Sequence, residues 1–420
     1  MLRATLIPVA WFAVVLWCAT ARASPAPSPS FSRNVPTQKI VLWHTQDRFQ
    51  AEFLRTLLAE FQATHGGVSI EVEDIVDLSA VLLKGAALGA LPDVVFAPAD
   101  TAGLHVPLRL SHIPTAAQLS TIPKEHYEAL TIDTFVYGEP VLSGNHLVFY
   151  YDTSLLPSAP STWEELAEWV KTGRVKEPRE KQGALGGWPF KDPYFFLPFL
   201  LSLKGLDLAK AELSSEKTTA ALRAYNALAT TGIVEANCGY MCATDEFYRG
   251  RFAYTINGEW AFEDTRKALG KRFGMAPLPS FQGQKMLSPR GVFALLFPNR
   301  GLESAKGPTL HALARWLQSS DVQFRYAQEA RRFPVLRGVP LGNDAEFQAL
   351  ARHLKNSASV TPSPKMLFLW PALRKGINLF FTSRLDPHEA TRVMLDTARA
   401  GQRAFESSAS QTSPATKEHP

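Results

Sequence analysis

Apolar and polar positions recur along this chain at two periods, and the switches between them set out its elements. Lys39-Ile-Val-Leu-Trp43-His44 is an apolar run that suits a buried strand. A polar turn, Thr45-Gln46-Asp47-Arg48, leads into residues 50–64, where Phe53, Leu54, Leu57, Leu58 and Phe61 recur at helical spacing until Gly66-Gly67 stops the pattern. Val68-Ser-Ile70-Glu-Val72-Glu alternates as a strand, a short helix is expected over 78–88, and Pro92-Asp93-Val94-Val95-Phe96 is a further buried strand. Strand, helix, strand, helix, strand in this order predicts a parallel sheet with helices on its faces. Ligands of such sheets lie beyond the carboxyl ends of the strands. Asp47 and Arg48 follow the first strand and Asp100 follows the third, so all three fall in that position.

The same alternation continues downstream. Leu147-Val-Phe-Tyr-Tyr151 is a strand, and Pro160-Ser161-Thr-Trp163-Glu164-Glu165-Leu166 opens a helix with Ser161 and Glu164 at capping-box spacing. Helices are expected over 198–208 and 218–230. The stretch from Phe252 to Phe262 turns from strand to helix through Asn257-Gly258, and strands return at 274–279 and 291–297. Helical patterns cover 309–319, 321–330, 370–381 and 387–405, and a polar tail follows. A chain of 420 residues with 46% hydrophobic content exceeds what one core normally serves, so two lobes are expected.

Charged residues of both signs make up 20% of the chain, an ordinary globular composition. The net charge is +5, and the absence of any Lys/Arg block argues against a nucleic-acid partner. Residues 1–23 have the pattern of a cleaved export signal. Arg3 precedes the apolar run from Leu6 to Trp17, which is too short to span a bilayer comfortably, and Ala21-Arg22-Ala23 supplies a small-x-small cleavage site. Lipid anchoring at Cys18 is disfavoured, because Trp17 fits poorly before a lipidated cysteine. Loss of Arg3 and Arg22 takes the net charge to +3. Pro- and Ser-rich residues to about 38 form an expected disordered spacer. Cys238 and Cys242 remain in the mature chain, and a local disulfide is expected in an oxidising compartment. Zinc would need further ligands, and no histidine sits at a nearby ligand spacing; no cofactor is expected.

The densest chemical signal is Gly186-Gly187-Trp188-Pro189-Phe190-Lys191-Asp192-Pro193-Tyr194-Phe195-Phe196, with two further aromatic-rich stretches at Trp260 and Trp370. Sugars stack their C–H faces on rings and need hydrogen-bond partners for their hydroxyls, so aromatics beside carboxylates suit them. The segments Ile-Val-Leu-Trp-His-Thr-Gln-Asp47-Arg48, Leu-Pro-Asp-Val-Val-Phe-Ala-Pro-Ala-Asp100, Ser-Thr-Trp-Glu-Glu-Leu166, Asp192-Pro-Tyr194-Phe195, Tyr-Thr-Ile-Asn-Gly-Glu-Trp260-Ala-Phe262 and Leu-Trp370-Pro-Ala-Leu-Arg374 occur in one order. Taken together, from about Lys39 to Phe405, they resemble the maltose/maltodextrin-binding proteins of bacterial ABC importers, within extracellular solute-binding protein family 1.

The resemblance implies an α/β fold of type II periplasmic-binding-protein architecture, with two lobes and a hinge that the chain crosses more than once. An N-terminal lobe is expected from 39–143 and 290–337, a C-terminal lobe from 144–289 and 338–406, and a disordered tail from 407. Asp47 and Arg48 match an acidic–basic pair that holds sugar hydroxyls, and Asp100 matches a first-lobe carboxylate. Asp192, Tyr194 and Phe195 match an acid–Pro–Tyr–Phe element, Trp260 and Trp370 the two main stacking tryptophans, Tyr240 a cleft tyrosine and Arg374 a subsite arginine. Ala97, Thr101 and Asn145 stand where the family pattern has a tryptophan, an arginine and a hinge-proximal glutamate, and Pro371 and Phe262 replace cleft aromatics. Second-lobe stacking is thus kept while first-lobe polar contacts are thinned. The expected protein is a monomeric periplasmic receptor that hands a disaccharide or short oligosaccharide to membrane permease subunits. A receptor that signals instead would have the same cleft. A glycosidase is the other alternative, since paired carboxylates in a sugar cleft are also what hydrolysis needs.

Overall fold

Thr45 to Asp47 link the strand that ends at His44 to the helix that begins at Arg48. The computed structural model describes residues 37–178, 183–360 and 362–412. The expected leader (1–23), most of the expected spacer and residues 413–420 lie outside the described residues. Strands in chain order are β1 (Gln38–His44), β2 (Val68–Asp74), β3 (Val94–Pro98), the small hairpin β4 (Thr131–Ile132) and β5 (Phe135–Val136), β6 (Glu139–Gly144) and β7 (Leu147–Asp152). A second small hairpin follows, β8 (Leu206–Asp207) and β9 (Glu212–Leu213), then β10 (Tyr254–Gly258), β11 (Phe273–Ala276), β12 (Ser288–Leu296), β13 (Phe333–Pro334) and β14 (Ser357–Ser359).

The larger sheet runs β13-β6-β12-β3-β1-β2, with β14 paired to β12. β1 lies parallel to both β2 and β3, as the strand–helix alternation predicts, while β12 is antiparallel to β3 and β6. Its core draws on residues between 40 and 142 and between 292 and 335, with Leu367 added. The smaller sheet, β10-β7-β11, is antiparallel, and the main core around it draws on residues between 147 and 286 and between 360 and 394. Two sheets with separate cores give two lobes. The chain passes between them after β6, before β12 and after β13.

The first crossing is tight. Gly144 has φ +115° and Asn145 φ +55°. A Cβ on Gly144 would lie 2.8 Å from Glu259 Oε1, so this crossing requires glycine both for its backbone angle and for the close carboxylate.

Four local expectations differ from the structure. The capping box is displaced by one residue: Thr162 Oγ1 accepts from the Glu165 N–H at 2.9 Å, and Glu165 Oε2 accepts from the Ser161 N–H at 2.6 Å. The helix expected from Pro198 begins at Pro193 and ends at Ser202, because Asp192 caps it and Pro193 fits its first turn. β1 begins at Gln38, inside the expected spacer. The last helix, Pro387–Thr412, runs past the expected start of the tail, since no proline interrupts residues 388–412.

Candidate functional site

A cavity of about 550 Å³ opens between the lobes, a size suited to a small ligand. First-lobe walls come from the turns after β1 and β3, where Thr45, Gln46, Asp47, Ala99 and Asp100 stand. Second-lobe walls come from Asp192, Tyr194, Tyr240, Trp260, Trp370 and Arg374, and the hinge contributes Asn145. A smaller cavity of about 350 Å³ shares Asp192, Pro193, Tyr240 and Arg374 with it and continues to Asn237, Cys238 and Gly239.

The aromatic wall is fixed by its own polar tips. Tyr194 lies 6.1 Å from Trp260 and 6.3 Å from Trp370, between ring centroids. Its hydroxyl donates to the Asn145 carbonyl, which pins the ring to the hinge. The Trp260 indole N–H donates to the Tyr240 hydroxyl at 2.9 Å. The Trp370 indole N–H donates to Asp100 Oδ2 at 2.9 Å. Each ring thus has its N–H or O–H satisfied, as buried amphipathic aromatics require.

The carboxylates are placed by capping. Asp47 is the N-cap of the Arg48–Thr64 helix, its Oδ1 accepting from the Gln50 N–H at 3.0 Å. Asp192 caps Pro193–Ser202 in the same way, accepting from the Tyr194 N–H at 2.8 Å. Asp100 stands in the first turn after β3. Burial pushes all three carboxyls above the ordinary aspartate range, and their hydrogen bonds from Gln50, Trp370 and Tyr194 offset only part of that.

Two expected site residues are not brought to the cavity. Arg48 is the residue after the cap, so it occupies the first helical position and points outward. Its side chain is 94% exposed and pairs with Glu52 at 3.2 Å. Phe195 is buried in the second core, packed 6.2 Å from Tyr194 and 6.5 Å from Tyr240, and so backs the wall without facing the cavity. The other eight, Asp47, Asp100, Asp192, Tyr194, Tyr240, Trp260, Trp370 and Arg374, all line it. A disulfide joins Cys238 and Cys242, whose Cα atoms are 5.3 Å apart.

Sequence reasoning missed a buried ionic cluster behind the cavity. Glu259, at the end of β10, accepts from the Asn145 N–H at 2.9 Å and the His146 N–H at 2.7 Å. Arg332 Nη2 lies 3.4 Å from Glu259 Oε1, with both side chains almost fully buried. Burial opposes ionisation of Glu259, but Arg332 and His146 together hold its carboxyl below the ordinary glutamate value. Arg332 belongs to the turn before β13, so this pair ties an element of the larger sheet's lobe to one of the smaller sheet's. Nothing local marks it: Arg331-Arg332 has the pattern of a solvated charge pair.

Residues 56–354 match the protein family described as bacterial extracellular solute-binding protein. The maltotriose-binding protein of Pyrococcus abyssi is 22% identical over 365 residues, 81% of this chain and 77% of its own length. The maltodextrin-binding protein of Bacillus subtilis is 25% identical over 266 residues, 60% of this chain and 63% of its own length. Among solved structures, the maltose/maltodextrin-binding domain of Bdellovibrio bacteriovorus bound to maltotriose superposes with a TM-score of 0.79 at 20% identity, covering 87% of this chain and all of that one.

Proposed function

This chain belongs to the bacterial extracellular solute-binding proteins, and we propose that it carries a disaccharide or short oligosaccharide of the maltose/maltodextrin class to the permease subunits of an ABC importer. The observation that carries this reading is the pairing of Trp260, Tyr194 and Trp370 on one wall with Asp47, Asp100 and Asp192 around the same cavity. Rings take the C–H faces of a sugar while ionised carboxylates accept from its hydroxyls in charge-assisted bonds. The adjoining cavity beyond Asp192 and Arg374 supports a ligand longer than a disaccharide. Ligand-contacting residues on this reading are Asp47, Asp100, Asp192, Tyr194, Tyr240, Trp260, Trp370 and Arg374. Arg48 and Phe195 are left out on the geometry above.

The lobes comprise 39–143 with 290–337 and 144–289 with 338–406, a division that the two separate cores support. The sugar shifts an open–closed balance through its differential affinity for the two states, and the closed form docks on the permease. The protein acts as a monomer in the periplasm after cleavage behind Ala23, with no catalytic step.

The test is a thermal-shift and tryptophan-fluorescence screen of the mature protein against maltose, maltotriose, longer maltodextrins, trehalose, sucrose, cellobiose and lactose, with oligopeptides and polyamines as controls. A ligand that binds only the folded state raises its stability by mass action. Stabilisation by an α-glucoside recovered intact supports the proposal. Cleaved sugar, or a response to peptides or amines alone, sinks it.

A further inference from the structure

Gln46 and Arg332 both line the larger cavity, and both are nine-tenths or more buried, at 6% and 2% exposure. Among the described residues, Gln46 Nε2 and Arg332 Nε are buried nitrogens with no hydrogen bond, while Arg332 Nη2 faces the Glu259 carboxylate at 3.4 Å. A buried unmet donor costs about 1–3 kcal/mol, so these two, on side chains that line one cavity, call for an acceptor. Their neighbours define which acceptor. With Nη2 at 3.4 Å from Glu259 Oε1, the guanidinium charge already has its counter-ion. Asp47, on the same wall, is a second carboxylate close enough for Arg332 to act on its ionisation. A further anion would add a third negative charge around one cation. A neutral oxygen accepts from the donors without that repulsion, and if it is a hydroxyl it can return its own proton to Asp47.

We propose that Gln46 and Arg332 form a donor pair that receives one hydroxyl oxygen, or a hydroxyl and the adjacent ring oxygen, of a neutral sugar, and that this pair sets how the sugar is oriented in the cleft. The inference rests on the sugar-binding reading above and assigns to it two specificity residues. It also specifies charge: the pair selects uncharged sugars over those carrying a carboxylate. Gln46 stands directly before the helix cap, so the donor is held by the same strand-to-helix turn that places Asp47. Its own backbone N–H is taken by His44 Nδ1 at 3.2 Å, which anchors the turn.

The experiment is calorimetric titration of wild type, Gln46→Met and Arg332→Lys with maltose, maltotriose, a set of monodeoxy maltoses, and maltose oxidised to the uronic acid at its non-reducing unit. Gln46→Met keeps the side-chain volume and removes the donor. Arg332→Lys keeps a cation for Glu259 and removes the fork. Melting curves establish that each variant is folded. Gln46→Met is expected to bind maltose or maltotriose about 5- to 50-fold more weakly. One monodeoxy maltose should bind wild type about tenfold more weakly than maltose yet lose nothing further in Gln46→Met. Arg332→Lys should show the same coupling to that position or its neighbour, and the uronic acid should bind wild type more weakly than maltose. Gln46→Met within twofold of wild type on every sugar, or no coupled deoxy position in either variant, overturns the donor pair while leaving the sugar-binding reading intact. Tighter binding of the uronic acid overturns the charge assignment. Wild type that binds neither maltose nor maltotriose removes the functional reading and this inference with it.

Discussion

The indole N–H of Trp370 and a carboxylate oxygen of Asp100 meet at 2.9 Å, joining the Pro364–Thr382 helix to the turn after β3. Asp100 is therefore already hydrogen-bonded before a sugar arrives, and Trp370 serves both as ring face and as latch. Trp370→Phe keeps a ring and removes the latch, so we expect the unliganded protein to have a larger radius of gyration by solution scattering. Trp370→Ala also removes the stacking face and should weaken sugar binding by about 1–3 kcal/mol, as loss of a buried aromatic anchor does elsewhere. Equal weakening by both substitutions would assign the contribution to the N–H alone.

Asp47 and Arg48 are neighbours in sequence but not in role. Asp47→Ala removes both a helix cap and a cavity carboxylate and is expected to cost about 1 kcal/mol of stability and at least tenfold in sugar affinity. Arg48→Ala removes only an exposed pair with Glu52 and should change affinity by less than twofold. Titration of the two variants with the same sugar distinguishes this placement from one in which both residues grip the ligand.

The three cleft aspartates carry an unusual pH signature. Their folded-state pKa values are raised by burial above the ordinary value of 3.8. The folded protein therefore binds their protons more readily than the unfolded chain. Their contribution favours folding at acid pH and is lost as pH rises through the raised values. Sugar binding has the opposite sign, because the ionised form makes the charge-assisted bonds. We expect affinity to fall as pH drops toward 3.8 without a matching loss of unliganded stability from these groups. Asp100→Asn should raise the unliganded Tm at pH 8 while weakening the sugar. A lowered Tm would contradict the argument.

Glu139 on β6 offers a similar test away from the cleft. Burial pushes its carboxyl up from 4.5 to about 7, with Gln318 Nε2 donating to it at 3.1 Å. Its contribution favours folding fully below 4.5 and is lost as pH rises through about 7. Glu139→Gln removes the cost of ionisation, so stability at pH 8 should rise by about 3 kcal/mol, at 1.36 kcal/mol per pKa unit. Urea unfolding at pH 5 and pH 8 should show the gain only at the higher pH.

Reduction of the Cys238–Cys242 bond reopens a loop whose ends are four residues apart and that walls the smaller cavity. Loop-closure entropy puts the loss of stability at about 2 kcal/mol. Unfolding with and without a phosphine reductant measures it, and the Cys242→Ser variant should match the reduced protein.

The parallel β1, β2 and β3 were legible because apolar runs and helical spacing alternate without ambiguity from Lys39 to Phe96. Asp47 and Asp100 were legible because each directly follows a strand. Asp192 was legible as a residue, although Pro198 masked the helix that it caps. Arg48 misled because adjacency along the chain says nothing of direction once the preceding residue is an N-cap. The hinge was the least legible part. Asn145 stands where the family pattern has a glutamate, yet a carboxylate still meets that backbone: Glu259 accepts from its N–H at 2.9 Å. That contact joins residues more than a hundred positions apart, and no local pattern records it.

The position of β12 also governs when the molecule can assemble. It lies between β3 and β6 in the larger sheet, yet it begins at Ser288, long after both have emerged. An amino-terminal segment ending before Ser288 has no strand to join those two edges, and so no finished first lobe. On an export route, such a chain would reach the far side of a membrane with its first lobe still incomplete. A translocation apparatus that accepts only unfolded polypeptide gains time from this strand order, because contacts so distant in sequence form slowly.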